Sequence, residues 1–334
     1  MTDREIHLPV AAQGSIDDFA AITQDAEAGG YVRAWMPETW GRDGVTTLTT
    51  LAERTSDIEL GTSIANVFSR SPALLGQTAA TLQEVSDGRF RLGIGPSGPA
   101  VIEGWHGESF ERPLRRTREY VEIVERVVAG EGLEYDGDIY SLSGFRLRFE
   151  PPETPPPIDV AGMGPKSVEL AGRFADGWHA TTFTPDGLRE RLDDLRRGAE
   201  LGDRSPDDVR VSLSVPCCVL EDGDRARRLA AQHLAFYVGA MGTYYRKSLA
   251  RQGYESEAND IAAQWASGEQ ESAVALIEDE LLDELAIAGT PEQAREQLER
   301  FTGVEGLDAV ALAFPRGASL SDIDATVEAM SPDN

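Results

Sequence analysis

Residues 88–107 read GRFRLGIGPSGPAVIEGWHG, and the choice of fold turns on them. Phe90–Ile94 has the composition of a strand, and Gly93-Ile94-Gly95-Pro96-Ser97-Gly98 then satisfies G-x-G-x-x-G. A dinucleotide fingerprint needs a helix to open at once and an acid about 20 residues on, at the end of the next strand. Here Pro99 and the loop Glu103-Gly104-Trp105-His106-Gly107 intervene. The next strand's place is taken by a helical stripe of Leu114, Thr117, Val121, Val124 and Val128, which reads as core packing. A generic NAD dehydrogenase is therefore a weak reading. The glycine loop sits instead at the carboxyl end of a strand, where (β/α)8 barrels carry their active sites and where glycine lets a ligand approach the backbone.

Working outward, eight β-like runs emerge, most followed by a helical pattern: Ile6–Ala11, Tyr31–Met36, Ile58–Ala65, Phe90–Ile94, Ile158–Ala161, Gly177–Thr182, Val209–Val219 and Asp308–Phe314. Several are continuously apolar, as parallel strands covered on both faces are. Ser15 with Asp18 predicts a helix start and Gly29-Gly30 its stop. Eight β-then-α repeats are the count of an α/β (β/α)8 TIM barrel; a doubly wound open sheet is the runner-up. Two segments exceed the minimal unit. Residues 132–149 carry a hairpin signal at Tyr135-Asp136-Gly137-Asp138, and residues 230–285 read as a helical insertion before the last strand. The whole of 1–334 is expected to form one domain.

Composition narrows function. Lys+Arg 31 against Asp+Glu 58 gives a net charge of −27, and the only lysines are Lys166 and Lys247. Such a surface repels phosphate backbones and anionic lipids, so neither nucleic acid nor membrane is an expected partner. The acids are spread along the chain, the pattern of a halophilic surface kept hydrated in a salty cytoplasm. The opening MTDREIHLPV has no signal-peptide core, and no apolar run approaches a membrane span, so a cytoplasmic protein is expected. Adjacent Cys217 and Cys218 make no C-x-x-C pair, and the four histidines stand apart, so no metal is expected.

Other strand ends are decorated like the fourth. The second closes on Trp35-Met36-Pro37-Glu38-Thr39-Trp40; the third runs Gly61-Thr62-Ser63-Ile64-Ala65-Asn66 and on to Arg70-Ser71-Pro72. The fifth gives Ala161-Gly162-Met163-Gly164-Pro165-Lys166-Ser167, a glycine turn into a helix N-terminus that suits a phosphate. No Ser-His-Asp set or paired-carboxylate site is visible, which turns attention to cofactor chemistry.

These strings, with Gly164–Gly172 and Ala175–Trp178, resemble the bacterial-luciferase-like superfamily across essentially the whole chain. The likeness is to its coenzyme F420-dependent branch, which includes methylene-tetrahydromethanopterin reductases. The resemblance implies a barrel, often a homodimer, that transfers a hydride between the deazaflavin and a small organic substrate. A methylene-tetrahydropterin is one candidate. It implies a non-prolyl cis peptide at Ser63–Ile64 behind the coenzyme ring. It also implies coenzyme contacts from Glu38, Thr39, Ser63, Ile64, Asn66, Gly95, Pro96, Ser97, Gly98, Met163, Gly164, Lys166 and Ser167. Glu38 and Thr39 match an Asp-His pair of related sugar-phosphate dehydrogenases, but threonine cannot act as that histidine does, and Gly98 replaces a carboxylate. Glu103 and His106 are the substitute candidates for proton handling. Two rivals remain: an FMN-dependent monooxygenase, and a barrel subunit without catalysis.

Overall fold

A computed structural model describes residues 2–12 and 14–333. Eight strands, each followed by helix, make the fold a (β/α)8 barrel, interrupted by a hairpin and a helical segment. The chain divides into two compact units: Met1–Ala34, Ala180–Asp193 and Val211–Asn334; and Trp35–His179 with Asp194–Arg210.

The first unit pairs β1 (Asp3–His7), β10 (Arg210–Val219), β11 (Ile287–Gly289) and β12 (Ala309–Ala313) as parallel strands in the order β11-β10-β12-β1. The first strand starts three residues before the expected Ile6 and stops before Ala11. Asp3 to Ile6 align with Ala309 to Leu312, whereas Pro9 lacks the N–H that a longer ladder needs. Helix Ile16–Ala28 opens on the expected capping box: Asp18 N–H donates to Ser15 Oγ at 3.1 Å and Ser15 N–H to Asp18 Oδ2 at 2.6 Å. Cys217 and Cys218 lie within β10, both buried, and burial raises both thiols. Between β10 and β11 run helices Gly223–Ala240, Thr243–Arg251, Glu255–Ala266, Gln270–Ala275 and Asp279–Leu285. The helical segment begins at Gly223 rather than 230, and Leu234, Val238, Leu249, Ile261 and Leu282 form its core. Gly239 is required there, because a Cβ would sit 2.5 Å from the Trp265 ring.

The second unit carries β3 (Glu59–Thr62), β4 (Ala65–Asn66), β5 (Phe90–Gly95), β8 (Ile158–Ala161) and β9 (Gly177–Thr181), parallel in the order β3-β5-β8-β9 with β4 also on β5. β2 (Arg33–Met36) precedes them in the chain. Arg89 ties the loop before β3 to β5, donating to Ala52 O, Thr55 O, Thr55 Oγ1 and Ile58 O at 2.8–3.1 Å. In helix Pro113–Val128 the stripe of Thr117, Val121, Val124 and Val128 is buried as expected, but Leu114 in the first turn is 39% exposed.

The hairpin of β6 (Leu133–Asp136) and β7 (Ser141–Phe145) is antiparallel. Its turn rests on one buried carboxylate of that helix. Glu119 Oε1 accepts from Asp138 N–H at 2.9 Å, and Oε2 from Ile139 and Tyr140 N–H, both at 3.0 Å. Gly137 is forced by the same approach, since a Cβ there would lie 2.6 Å from Glu119 Oε2.

Candidate active site

All the candidate residues belong to the second unit. The carboxyl ends of its strands are drawn together by close backbone approach. A Cβ on Gly93 would lie 2.0 Å from Thr62 O, while Thr62 Oγ1 donates to Gly93 O at 2.7 Å and accepts from Gly93 N–H at 3.0 Å. The first glycine of G-x-G thus serves strand packing rather than a pyrophosphate. Between β3 and β4 the Ser63–Ile64 peptide is cis, as the resemblance implies. Ser63 N–H donates to Met36 O at 2.9 Å, tying it to the end of β2. A Cβ on Gly95 would meet Ala161 Cβ at 3.2 Å and Ile64 Cγ1 at 3.4 Å, so Ile64, Gly95 and Ala161 form one small apolar floor.

Past the floor, Pro96, Ser97 and Gly98 are half-buried and lead into the short helix Pro99–Gly104. Ser97 adopts φ 58°, a left-handed conformation uncommon for serine. The loop that follows docks at two points. His106 Nε2 lies 3.2 Å from Asn66 Nδ2, and the ring of Phe110 stacks on Phe68 at 5.3 Å between centroids. Arg116 covers the same Phe68 ring at 4.7 Å and donates to Tyr140 Oη.

The Asn66–His106 contact defines a tautomer. Asn66 Oδ1 accepts from Phe68 N–H at 3.0 Å and Ser69 N–H at 2.8 Å. With its oxygen committed, the amide presents Nδ2–H to His106, so Nε2 must be the acceptor and the neutral ring carries its proton on Nδ1. Asn66 is buried and His106 half-buried.

Glu38 faces a different partner. Arg70 Nη1 lies 2.5 Å from both of its oxygens, and Arg70 Nη2 lies 3.2 Å from Asp43 Oδ2. Burial opposes ionisation of Asp43, but hydrogen bonds from Thr46 and the charge of Arg70 outweigh it and hold that carboxyl below its ordinary value. Tyr120 Oη donates to Arg70 O, fixing the backbone at the same point. Arg70 completes the site; the sequence signal was Arg-Ser-Pro after the third strand, where Ser71 caps helix Pro72–Val85.

The remaining candidates are less tightly assembled. Thr39 is half-buried and makes no side-chain hydrogen bond among the described residues, and Trp40 beside it is exposed. Glu103 is exposed and accepts from Phe110 N–H at 3.4 Å. At the fifth strand end Met163 and Gly164 are half-buried. Ser167 Oγ donates to Gly164 O at 2.8 Å and accepts from Gly164 N–H at 3.1 Å, capping helix Pro165–Phe174. Lys166 is exposed and lies 2.9 Å from both oxygens of Glu169. Trp178 is fully buried and its Nε1–H donates to Gly162 O at 2.8 Å, so it braces the glycine turn.

The family model for luciferase-like monooxygenases matches residues 3–305. The chain belongs to that family. It is 33% identical over 300 residues to a Mycobacterium tuberculosis protein that carries the name coenzyme F420-dependent oxidoreductase, covering 84% of this chain and 86% of that one. It is 29% identical over 295 residues to the 5,10-methylenetetrahydromethanopterin reductase of Methanolobus tindarius, covering 87% and 88%. The solved structure of the coenzyme F420-dependent tetrahydromethanopterin reductase from Methanopyrus kandleri superposes with a TM-score of 0.84 over 99% of this chain and 98% of that one. At 22% identity that likeness shows the fold, the same (β/α)8 barrel.

Proposed function

We propose that this family member is a coenzyme F420-dependent oxidoreductase that transfers a hydride between the deazaflavin and a small organic substrate, with a methylene-tetrahydropterin as the leading substrate candidate. The observation that carries it is the 33% identity, over 84% of the chain, to a relative named for that coenzyme. Reductases of a methylene-pterin at 29% identity support the substrate.

The residues present fit a flat ring with an anionic tail. Ile64, Gly95 and Ala161 make an uncharged floor, tight enough that a Cβ at 95 would press on Ala161 at 3.2 Å. A Cβ on Gly164 would find its nearest neighbour at 3.7 Å, so the glycine turn leaves space beside a helix N-terminus, where anions are favoured. Hydride exchange at C5 is the chemistry that the deazaflavin would bring when bound. The chain aligns and manages the proton. Ser63, Ile64 and Gly95 would back the ring, Asn66 with Pro96, Ser97 and Gly98 would frame its edge, and the Met163–Ser167 turn would hold the tail. Lys166 reaches an anion only by leaving Glu169. His106, oriented by Asn66, holds a proton at Nδ1, and Glu38 with Arg70 shapes the opposite strand end without a free acid.

Binding titrations with F420 and FMN test this reading. Saturable F420 binding, with reduction of a methylene-pterin by the reduced coenzyme, is the expected result. Tight FMN binding with none for F420 would replace it by a monooxygenase; binding of neither, at any salt concentration, would replace it by a subunit without catalysis.

A further inference from the structure

A second group of polar and aromatic side chains lies in the first unit and includes none of the candidate site residues. His7 ends β1, Arg316 follows β12, helix Gly223–Ala240 brings His233, Phe236 and Tyr237, and helix Thr243–Arg251 brings Tyr245. Their rings run in series, His233 to Tyr237 at 4.7 Å and Tyr237 to Tyr245 at 4.9 Å between centroids. Arg316 is exposed, with its guanidinium carbon 3.9 Å from the Phe236 centroid. Stacking holds a guanidinium by its face and leaves its N–H edge for a planar oxyanion.

The polarity of the group is one-sided. His233 Nδ1 accepts the backbone N–H of Arg316 at 3.2 Å, so the neutral ring carries its proton on Nε2. Burial, then the charges of Arg316 and His7, push the His233 imidazolium down to about 3, which keeps that ring neutral. Burial raises the hydroxyls of Tyr237 and Tyr245, so both stay O–H donors, and neither makes a hydrogen bond among the described residues. The charges acting on His233 and Tyr237 are cationic, and Arg316 makes no ion pair among the described residues.

We propose that Arg316, with the hydroxyls of Tyr237 and Tyr245 and the Nε2–H of His233, binds the carboxylate or phosphate group of a small-molecule substrate. Four donors without a hydrogen-bond or ion-pair partner among the described residues suit an oxyanion, and the ring series suits a planar body attached to it. The assignment of the ligand as substrate rests on the proposed function; the binding itself does not.

Isothermal titration without coenzyme tests it, using benzoate and phenyl phosphate as probes and benzyl alcohol as the neutral control. At least one anionic probe should bind saturably, and Arg316→Gln should weaken it by about tenfold to a hundredfold, the range for a lost charge-assisted hydrogen bond. Tyr237→Phe and Tyr245→Phe, which preserve the packing, should each weaken it several-fold, and benzyl alcohol should respond to none of the three. Unaltered binding in Arg316→Gln, or no saturable binding of either anion to the wild type, would overturn the site. Displacement of the probe by F420 would overturn the substrate assignment, because the oxyanion would then be the coenzyme's own. Loss of F420 binding with intact benzoate binding would instead reject the proposed function and leave this site standing.

Discussion

Replacing Asn66 with aspartate separates the two jobs that its amide performs. An aspartate oxygen can still accept from Phe68 N–H at 3.0 Å and Ser69 N–H at 2.8 Å, so the turn after β4 should survive. The second oxygen then stands where Nδ2 stood, 3.2 Å from His106 Nε2, and an acceptor there demands a hydrogen on Nε2. The lost neutral hydrogen bond is worth about 1 kcal/mol and the charge-assisted one gained about 1.5–3 kcal/mol. Together they move the tautomer balance by about 2.5–4 kcal/mol, roughly a hundredfold to a thousandfold. Nitrogen NMR on 15N-histidine-labelled protein reads this directly, with His106→Gln assigning the resonance. The wild type should carry its ring proton on Nδ1 and the variant on Nε2, with little change in melting temperature. If His106 handles the reaction's proton through Nδ1, kcat should fall while coenzyme affinity holds. A wild-type ring protonated on Nε2, or the same pattern in both proteins, would refute the argument.

Glu119→Gln turns one end of the side chain into a donor facing backbone N–H groups at 138–140; thermal unfolding should show a loss of about 1–3 kcal/mol. Gly137→Ala, whose Cβ would crowd the same carboxylate, should destabilise similarly, and intact stability in both would remove the hairpin's dependence on that contact. Because the folded value of His233 lies at about 3, below its ordinary 6.5, its contribution is complete above pH 6.5 and declines as pH falls toward 3. Denaturant titrations should show a loss of about 1.5–2 kcal/mol by pH 5 that His233→Gln flattens. A chain of net charge −27 should melt higher in molar potassium chloride than in dilute buffer, where self-repulsion is unscreened; a melting temperature indifferent to salt would end the halophilic reading.

The barrel was legible because its strands are short apolar runs, most followed by a helical pattern, and their order along the chain is what the β-then-α pattern predicts. Where boundaries slipped, a local cause is visible. Pro9 halts β1 before Ala11, and the run Ile58–Ala65 is divided into β3, ending at Thr62, and β4, starting at Ala65. The site was legible as strand ends and less so as pairings. Nothing in the sequence couples Glu38 to Arg70 across 32 positions, or Asn66 to His106 across 40, because those contacts depend on how neighbouring strand ends are spaced. Lys166 illustrates the converse. Its rarity in the chain drew attention to it, yet an acid three residues on, invisible to composition, holds its ammonium.

The two thiols give the molecule a built-in clock. Cys217 and Cys218 are the only cysteines, and both are buried in a strand paired on each side. A thiol reagent therefore finds nothing to modify until that ladder opens, and its rate of reaction measures the opening frequency of the first unit. The same silence frees every introduced cysteine to act as a unique address. A fluorophore placed on the exposed loop at Trp105 would report coenzyme and substrate arrival without a background label.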